Sequence, residues 1–234
     1  MKKFLSTILV LLFLLSLVSV ASEEETNKEV YITFDDGPTQ NTVKILDTLK
    51  KYNAKATFFV LEDRISQNPD IMARIVNEGH QIGLHGISHD VNVIYSSPSE
   101  PLLEMNKANE TLYNTLGFKT KLVRTPYGSY PYMSLEQYRI LCAAGYKVWD
   151  WTVDPRDSVG TAPSAQSLLE RIKRDLKGNE FPIVLLHDRK STANNLEYIL
   201  SFFSGEGYTF GIIDENMDCV NSMVLYGPAK NKNG

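Results

Sequence analysis

Cysteine is scarce: 234 residues hold only Cys142 and Cys219. So few thiols exclude a disulfide-stapled scaffold, and no cysteine cluster exists from which a thiolate zinc site could be built. The two either pair with each other or remain separate thiols, and their spacing does not choose between these. An excess of basic residues is also missing, since Lys and Arg number 24 against 28 Asp and Glu, for a net charge of −4. The chain therefore has no general electrostatic grip on nucleic acid or on an anionic cell wall, and such a partner must be recognised locally. Long apolar runs are limited to one, Phe4 to Val20, and the rest of the chain shows no repeat, low-complexity tract or internal linker.

That one run follows Lys2 and Lys3 and ends in Ser19-Val20-Ala21. A basic start, a short apolar core and small residues at the break predict a secretory signal peptide over residues 1–21. At roughly 17 residues the run is short for a membrane span, which makes an uncleaved anchor the weaker alternative. No cysteine follows it, so lipoprotein attachment is excluded. Residues 22–234 then form one extracellular domain, open to cell-wall association, and nothing in them implies an obligate protein partner. A hydrophobic content of 43% suits one large core.

Within that domain strand and helix patterns alternate. Strands are predicted at Val30–Asp35, Ala56–Leu61, Gln81–Leu84, Leu122–Thr125, Tyr146–Val153, Ile183–Leu186 and Tyr208–Ile213. Helices are expected at 42–52, from Asn68-Pro69 to Glu78, at 100–116, 134–144, 165–176 and 195–203, with a long loop over 90–98. Seven βα-like units predict an α/β fold, a parallel sheet covered by helices, and periodicity alone does not say whether it is open or closed.

Polar residues gather at the strand ends. Asp35 and Asp36 follow strand one, His85 strand three with His89 four residues on, Arg124 strand four, Asp154 and Asp157 strand five, and His187-Asp188 strand six. In parallel α/β folds the carboxyl ends of the strands share one face, where sites form. Three of the four histidines thus converge there, while His80, in an E-G-H turn, reads as a packing residue. Adjacent carboxylates repel unless a cation neutralises them, and the Gly-Pro after Asp36 offers a turn that curls both toward one cavity. His85, His89 and Asp36 would form a two-histidine, one-carboxylate set that leaves positions open for water and substrate, the layout of a catalytic metal site. Zn²⁺, Co²⁺ and Ni²⁺ all suit such ligands. Tyr127, Tyr130 and Tyr132 could stack on sugar rings or simply pack their loop, and Trp149 and Trp151 read first as core.

Five ordered segments carry a family resemblance: T-F-D-D-G-P-T at 33–39, H-G-I-S-H at 85–89, R-T-P-Y-G at 124–128, D-P-R-D at 154–157 and L-L-H-D at 185–188. In these the chain resembles the polysaccharide deacetylases, the NodB-homology or carbohydrate esterase family 4 enzymes. The resemblance implies a distorted (β/α)7 barrel. It also implies a general base at Asp35, held by Arg124, and a divalent ion, Zn²⁺ first, on Asp36, His85 and His89. His187 would be the proton donor, oriented by Asp157, with the Tyr127 N–H facing the oxyanion and Leu185 lining the acetyl pocket. Gly86 stands where Ser or Thr is usual, which removes a supporting hydrogen bond, and Ser158 where many members carry an aromatic. The implied substrate is an N-acetylated polysaccharide, peptidoglycan ahead of chitin oligomers. Acetyl-xylan O-deacetylation and a wall-binding module without turnover are the alternatives.

Overall fold

The computed structural model describes residues 28–160 and 162–227; the expected signal peptide lies outside the described residues. Its strands are β1 (Lys28–Gly37), β2 (Thr57–Val60), β3 (Gln81–Leu84), β4 (Leu122–Val123), β5 (Lys147–Val148), β6 (Ile183–His187) and β7 (Tyr208–Gly211). Between them run α1 (Gln40–Lys51), α2 (Glu62–Gln67), α3 (Pro69–Asn77), α4 (Val91–Ile94), α5 (Glu100–Leu116), α6 (Leu135–Ala143), α7 (Ala165–Asp175), α8 (Lys190–Gly205) and α9 (Ser222–Tyr226). All the strand pairs are parallel, in the order β5-β4-β3-β2-β1-β6, with β7 beside the start of β1. The curled sheet closes through a single parallel bridge between Val153 and Val184, so the architecture is a distorted (β/α)7 barrel.

Period-two alternation sorts each strand into two packed layers. Val30, Ile32 and Phe34 of β1, with Phe58, Ile82, Val123, Val184 and Leu186, meet the helices in the larger core. Tyr31, Phe59, Leu122, Trp149 and Ile183 fill the barrel interior. Gly83 also faces inward; a Cβ there would lie 2.4 Å from the Phe59 ring, so the missing side chain makes room for that ring.

Local chemistry sets the helix ends. Thr39 and Ser134 begin α1 and α6 with reciprocal capping boxes, and Pro69 opens α3 where a missing N–H costs nothing. The fifth strand is shorter than its apolar run predicts. After Val148 the chain leaves the ladder, because the Asp150 N–H donates to Val220 O and the Trp149 and Asp150 carbonyls accept from Arg124. The long loop over 90–98 contains α4, capped by Asp90, and α8 begins at Lys190, earlier than its apolar pattern indicates. Cys142 and Cys219 are free thiols, so the two are not paired.

Candidate active site

A bulge, rather than the Gly-Pro turn alone, brings the two adjacent carboxylates together. β1 pairs Asp35 with Phe59 and then Gly37 with Val60, leaving Asp36 as an extra residue with φ at 71°. Asp35 stays in the inward register while Asp36 swings over the same cavity: His85 Nε2 lies 3.8 Å from Asp35 Oδ2 and 3.5 Å from Asp36 Oδ1. Of the five non-glycine residues in the left-handed region among the described residues, Asp36, His89, Tyr127 and Arg156 lie in or beside the predicted site segments. Such backbone persists where surrounding contacts over-determine it.

Arg124, fully buried, organises the floor. Its Nη1 donates to Asp35 Oδ1 at 2.9 Å and to Thr33 Oγ1 at 2.7 Å, its Nη2 to Asp150 O at 2.9 Å, and its guanidinium stacks 4.2 Å from the Phe59 ring centroid. The Gly83 gap thus sets the height of Phe59, and Phe59 that of the arginine.

Asp36, His85 and His89 form a cluster whose ligand atoms all lie within 4.8 Å of one another. His85 Nδ1, 2.6 Å from the Arg124 carbonyl, must be the protonated nitrogen, which leaves Nε2 with its lone pair toward the cluster. Burial pushes the His85 pKa below that of a free imidazole. His89 Nε2 is 3.2 Å from Asp36 Oδ1, and the Asp36 carboxylate raises its pKa against the effect of burial. Burial works against ionising Asp36, yet the three surrounding histidines hold its carboxyl well below the usual carboxylate range. Asp36 Oδ1 is buried with no hydrogen-bond donor among the described residues. An orphaned carboxylate oxygen facing two imidazole nitrogens is the environment a divalent cation of the zinc class would complete, so the residues fit that group.

Across the mouth, Asp157 is buried and accepts three hydrogen bonds: His187 Nδ1 at 2.7 Å on Oδ1, with His187 N at 2.8 Å and Thr192 Oγ1 at 2.5 Å on Oδ2. Burial disfavours a charge on His187, but this carboxylate outweighs it and the pKa is raised. Its Nδ1–H is committed to Asp157, so Nε2 is the nitrogen free to exchange a proton. Leu185 is buried on the same strand face as His187, and Tyr127 presents a backbone N–H that meets no acceptor among the described residues. Tyr127 also donates through its hydroxyl to His89 O at 3.1 Å, and its ring packs 5.0 Å from that imidazole and 5.8 Å from Tyr132.

Five placements add to the sequence reading. Asp188 reaches back to Thr39 N, Thr39 Oγ1 and Thr42 Oγ1 at the start of α1. Asp154 caps its own turn through Arg156 N. His80 is buried with Nδ1 accepting from Ala56 N, and burial lowers its pKa to about 4. Two buried carboxylates go unnoticed in the sequence reading. Asp150 accepts from Ser129 N, Ser129 Oγ and Ser222 N and ties the 124–129 loop to α9, while Glu104 accepts from Ile87 N, Ser88 N and Ser88 Oγ. Each carries a signal in hindsight, an acid between two tryptophans in an apolar run and an acid on the apolar stripe of a helix.

A carboxylate held by a buried arginine, a His2Asp cluster and a His-Asp pair, all at the carboxyl ends of parallel strands, are the parts of a hydrolase. The sequence profile of polysaccharide deacetylases matches residues 22–149. Over 194 residues the chain is 38% identical to a putative polysaccharide deacetylase of Bacillus subtilis, covering 82% of this chain and 69% of that protein. It is 33% identical over 192 residues to a peptidoglycan-N-acetylglucosamine deacetylase of Bacillus cereus, covering 78% and 68%. A crystal structure of a Bacillus cereus polysaccharide deacetylase superposes with a TM-score of 0.75 at 32% identity, over 83% of this chain and 97% of that one. The chain belongs to the polysaccharide deacetylase family.

Proposed function

We propose that this protein is an exported, metal-dependent hydrolase that removes N-acetyl groups from N-acetylglucosamine in peptidoglycan. The observation that carries the reading is the buried, unpartnered Asp36 Oδ1 set against the free faces of His85 and His89. Relatives described as peptidoglycan deacetylases support the choice of polymer, and the N-terminal run supports export.

A divalent ion on Asp36, His85 and His89, Zn²⁺ first and Co²⁺ or Ni²⁺ as alternatives, supplies Lewis-acid polarisation and lowers the pKa of water. Asp35, fixed by Arg124, takes the proton of the attacking water; it works by placement, since it is held 2.9 Å from a guanidinium. Negative charge growing on the acetyl oxygen meets the Tyr127 N–H. Leu185 lines the pocket for the acetyl methyl and helps exclude water. His187, whose imidazolium form is favoured by Asp157, delivers its Nε2 proton to the departing sugar amine, which cannot leave as an anion. The products are acetate and a glucosamine unit.

The test is acetate release from peptidoglycan, chitin oligomers and acetyl-xylan in parallel, with metal content measured on the same sample. Release from N-acetylglucosamine polymers that a chelator abolishes and Zn²⁺ or Co²⁺ restores is expected. Release from acetyl-xylan alone would overturn the substrate class, and no release from metal-loaded protein would overturn the function.

A further inference from the structure

We propose that Glu104, on α5, is a positioning residue for the candidate metal centre, and that its carboxylate sets the 85–89 loop and through it His89. The inference rests on reading Asp36, His85 and His89 as the metal ligands.

Glu104 falls on the buried stripe of α5 with Pro101, Met105, Ala108 and Leu112, and is only 4% exposed. Such a carboxylate is costly to bury unless donors are aimed at it. Its donors all come from the residues between the two histidines: Ile87 N at 2.8 Å and Ser88 N at 3.2 Å on Oε2, and Ser88 Oγ at 2.6 Å on Oε1. Gly86 at φ +86° and His89 at φ +45° bracket that pair, so the successive N–H groups converge as a concave nest around the anion. A Cβ on residue 86 would lie 2.8 Å from Glu104 Oε2. A side chain at 86 and the carboxylate therefore compete for one space, and in this chain the loop is held from α5 instead of from within.

The two histidines depend on this grip unequally. His85 is anchored by β3, by its N–H to Val60 O and by its ring to Arg124 O. His89 has a left-handed backbone, is half-buried, and is otherwise held by the Tyr127 hydroxyl and ring. Without Glu104 the Ile87 and Ser88 N–H groups lose their acceptor and His89 loses its placement, while Asp36 and His85 keep theirs. The consequence is a weakened three-ligand site in a folded protein.

Co²⁺ is the probe, titrated into the chelator-stripped full chain and followed by visible d–d absorption and calorimetry, with thermal unfolding of the metal-free protein alongside. Glu104→Ala should bind Co²⁺ about 10–100-fold more weakly, as loss of a supporting partner does in metal sites, with an altered d–d spectrum and cooperative unfolding. Glu104→Gln, whose amide oxygen still accepts the two N–H groups, should stay within about threefold of wild type. Wild-type affinity and spectrum in Glu104→Ala would overturn the proposal, and so would an equal loss in both variants, because the effect would then be one of charge and not of loop placement. If Glu104→Ala does not accumulate as folded protein, Ser88→Ala decides: it removes one of the three donors and should weaken Co²⁺ binding several-fold, and unchanged binding would refute the idea. Wild-type protein that binds no Co²⁺ would instead remove the functional reading beneath it.

Discussion

Replacing Arg124 with methionine tests the floor of the site. The substitution keeps bulk against Phe59 but removes the guanidinium from Asp35, Thr33 and the Trp149 and Asp150 carbonyls. Arg124 and Asp35 are both almost wholly buried, so the variant strands a carboxylate in the barrel interior. Removing one partner of a buried ion pair costs about 3–5 kcal/mol. For a domain of this size, with about 2–4 °C per kcal/mol, Tm should fall by roughly 6–20 °C. The pair can be separated from the other contacts by adding Asp35→Asn. Neutralising the stranded charge should return part of the loss, but the two carbonyls stay without their donor, so recovery is incomplete. Urea unfolding of the wild type, both single variants and the double variant gives the coupling energy, which should exceed about 1.5 kcal/mol. Additive losses, within about 0.5 kcal/mol, would refute the claim that Arg124 and Asp35 act as one unit. An Arg124→Met loss below about 1 kcal/mol would refute the claim that the interior is closed to water around them.

Two further variants address the proposed acid and the proposed oxyanion loop. Because Asp157 raises the His187 pKa, their pairing stabilises the fold fully below the ordinary histidine pKa of about 6.5 and loses that effect as pH rises through the raised value. Asp157→Asn should therefore move the alkaline limb of kcat/KM to lower pH, and an unmoved limb in a full pH-rate profile would exclude His187 as the proton donor. Asp150→Ala leaves Ser129 N and Ser222 N without an acceptor, which should cost about 2–4 kcal/mol of stability. It should also lower kcat by loosening the Tyr127 loop; unchanged kcat in calorimetrically folded variant would show that this tie does not matter for turnover.

Local pattern alone placed most of the strands and helices of this barrel, because apolar alternation and helical spacing are properties of short windows. It also marked Asp35, Asp36, His85, His89, Arg124, Asp157 and His187, since each follows a strand and parallel strands bring their carboxyl ends to one face. Three features depended on contacts between distant segments. Barrel closure comes from one bridge, Val153 to Val184, made by a chain that has already left the fifth strand. Asp36 shares a cavity with Asp35 because β2 and β6 fix the register around a bulge, which residue spacing in β1 cannot show. Glu104 and Asp150 are buried acids whose partners include backbone N–H groups 16 to 17 and 21 to 72 residues away. Every residue but proline carries an N–H, so no side-chain motif marks those partners, and only the folded chain could decide which of them each carboxylate would meet.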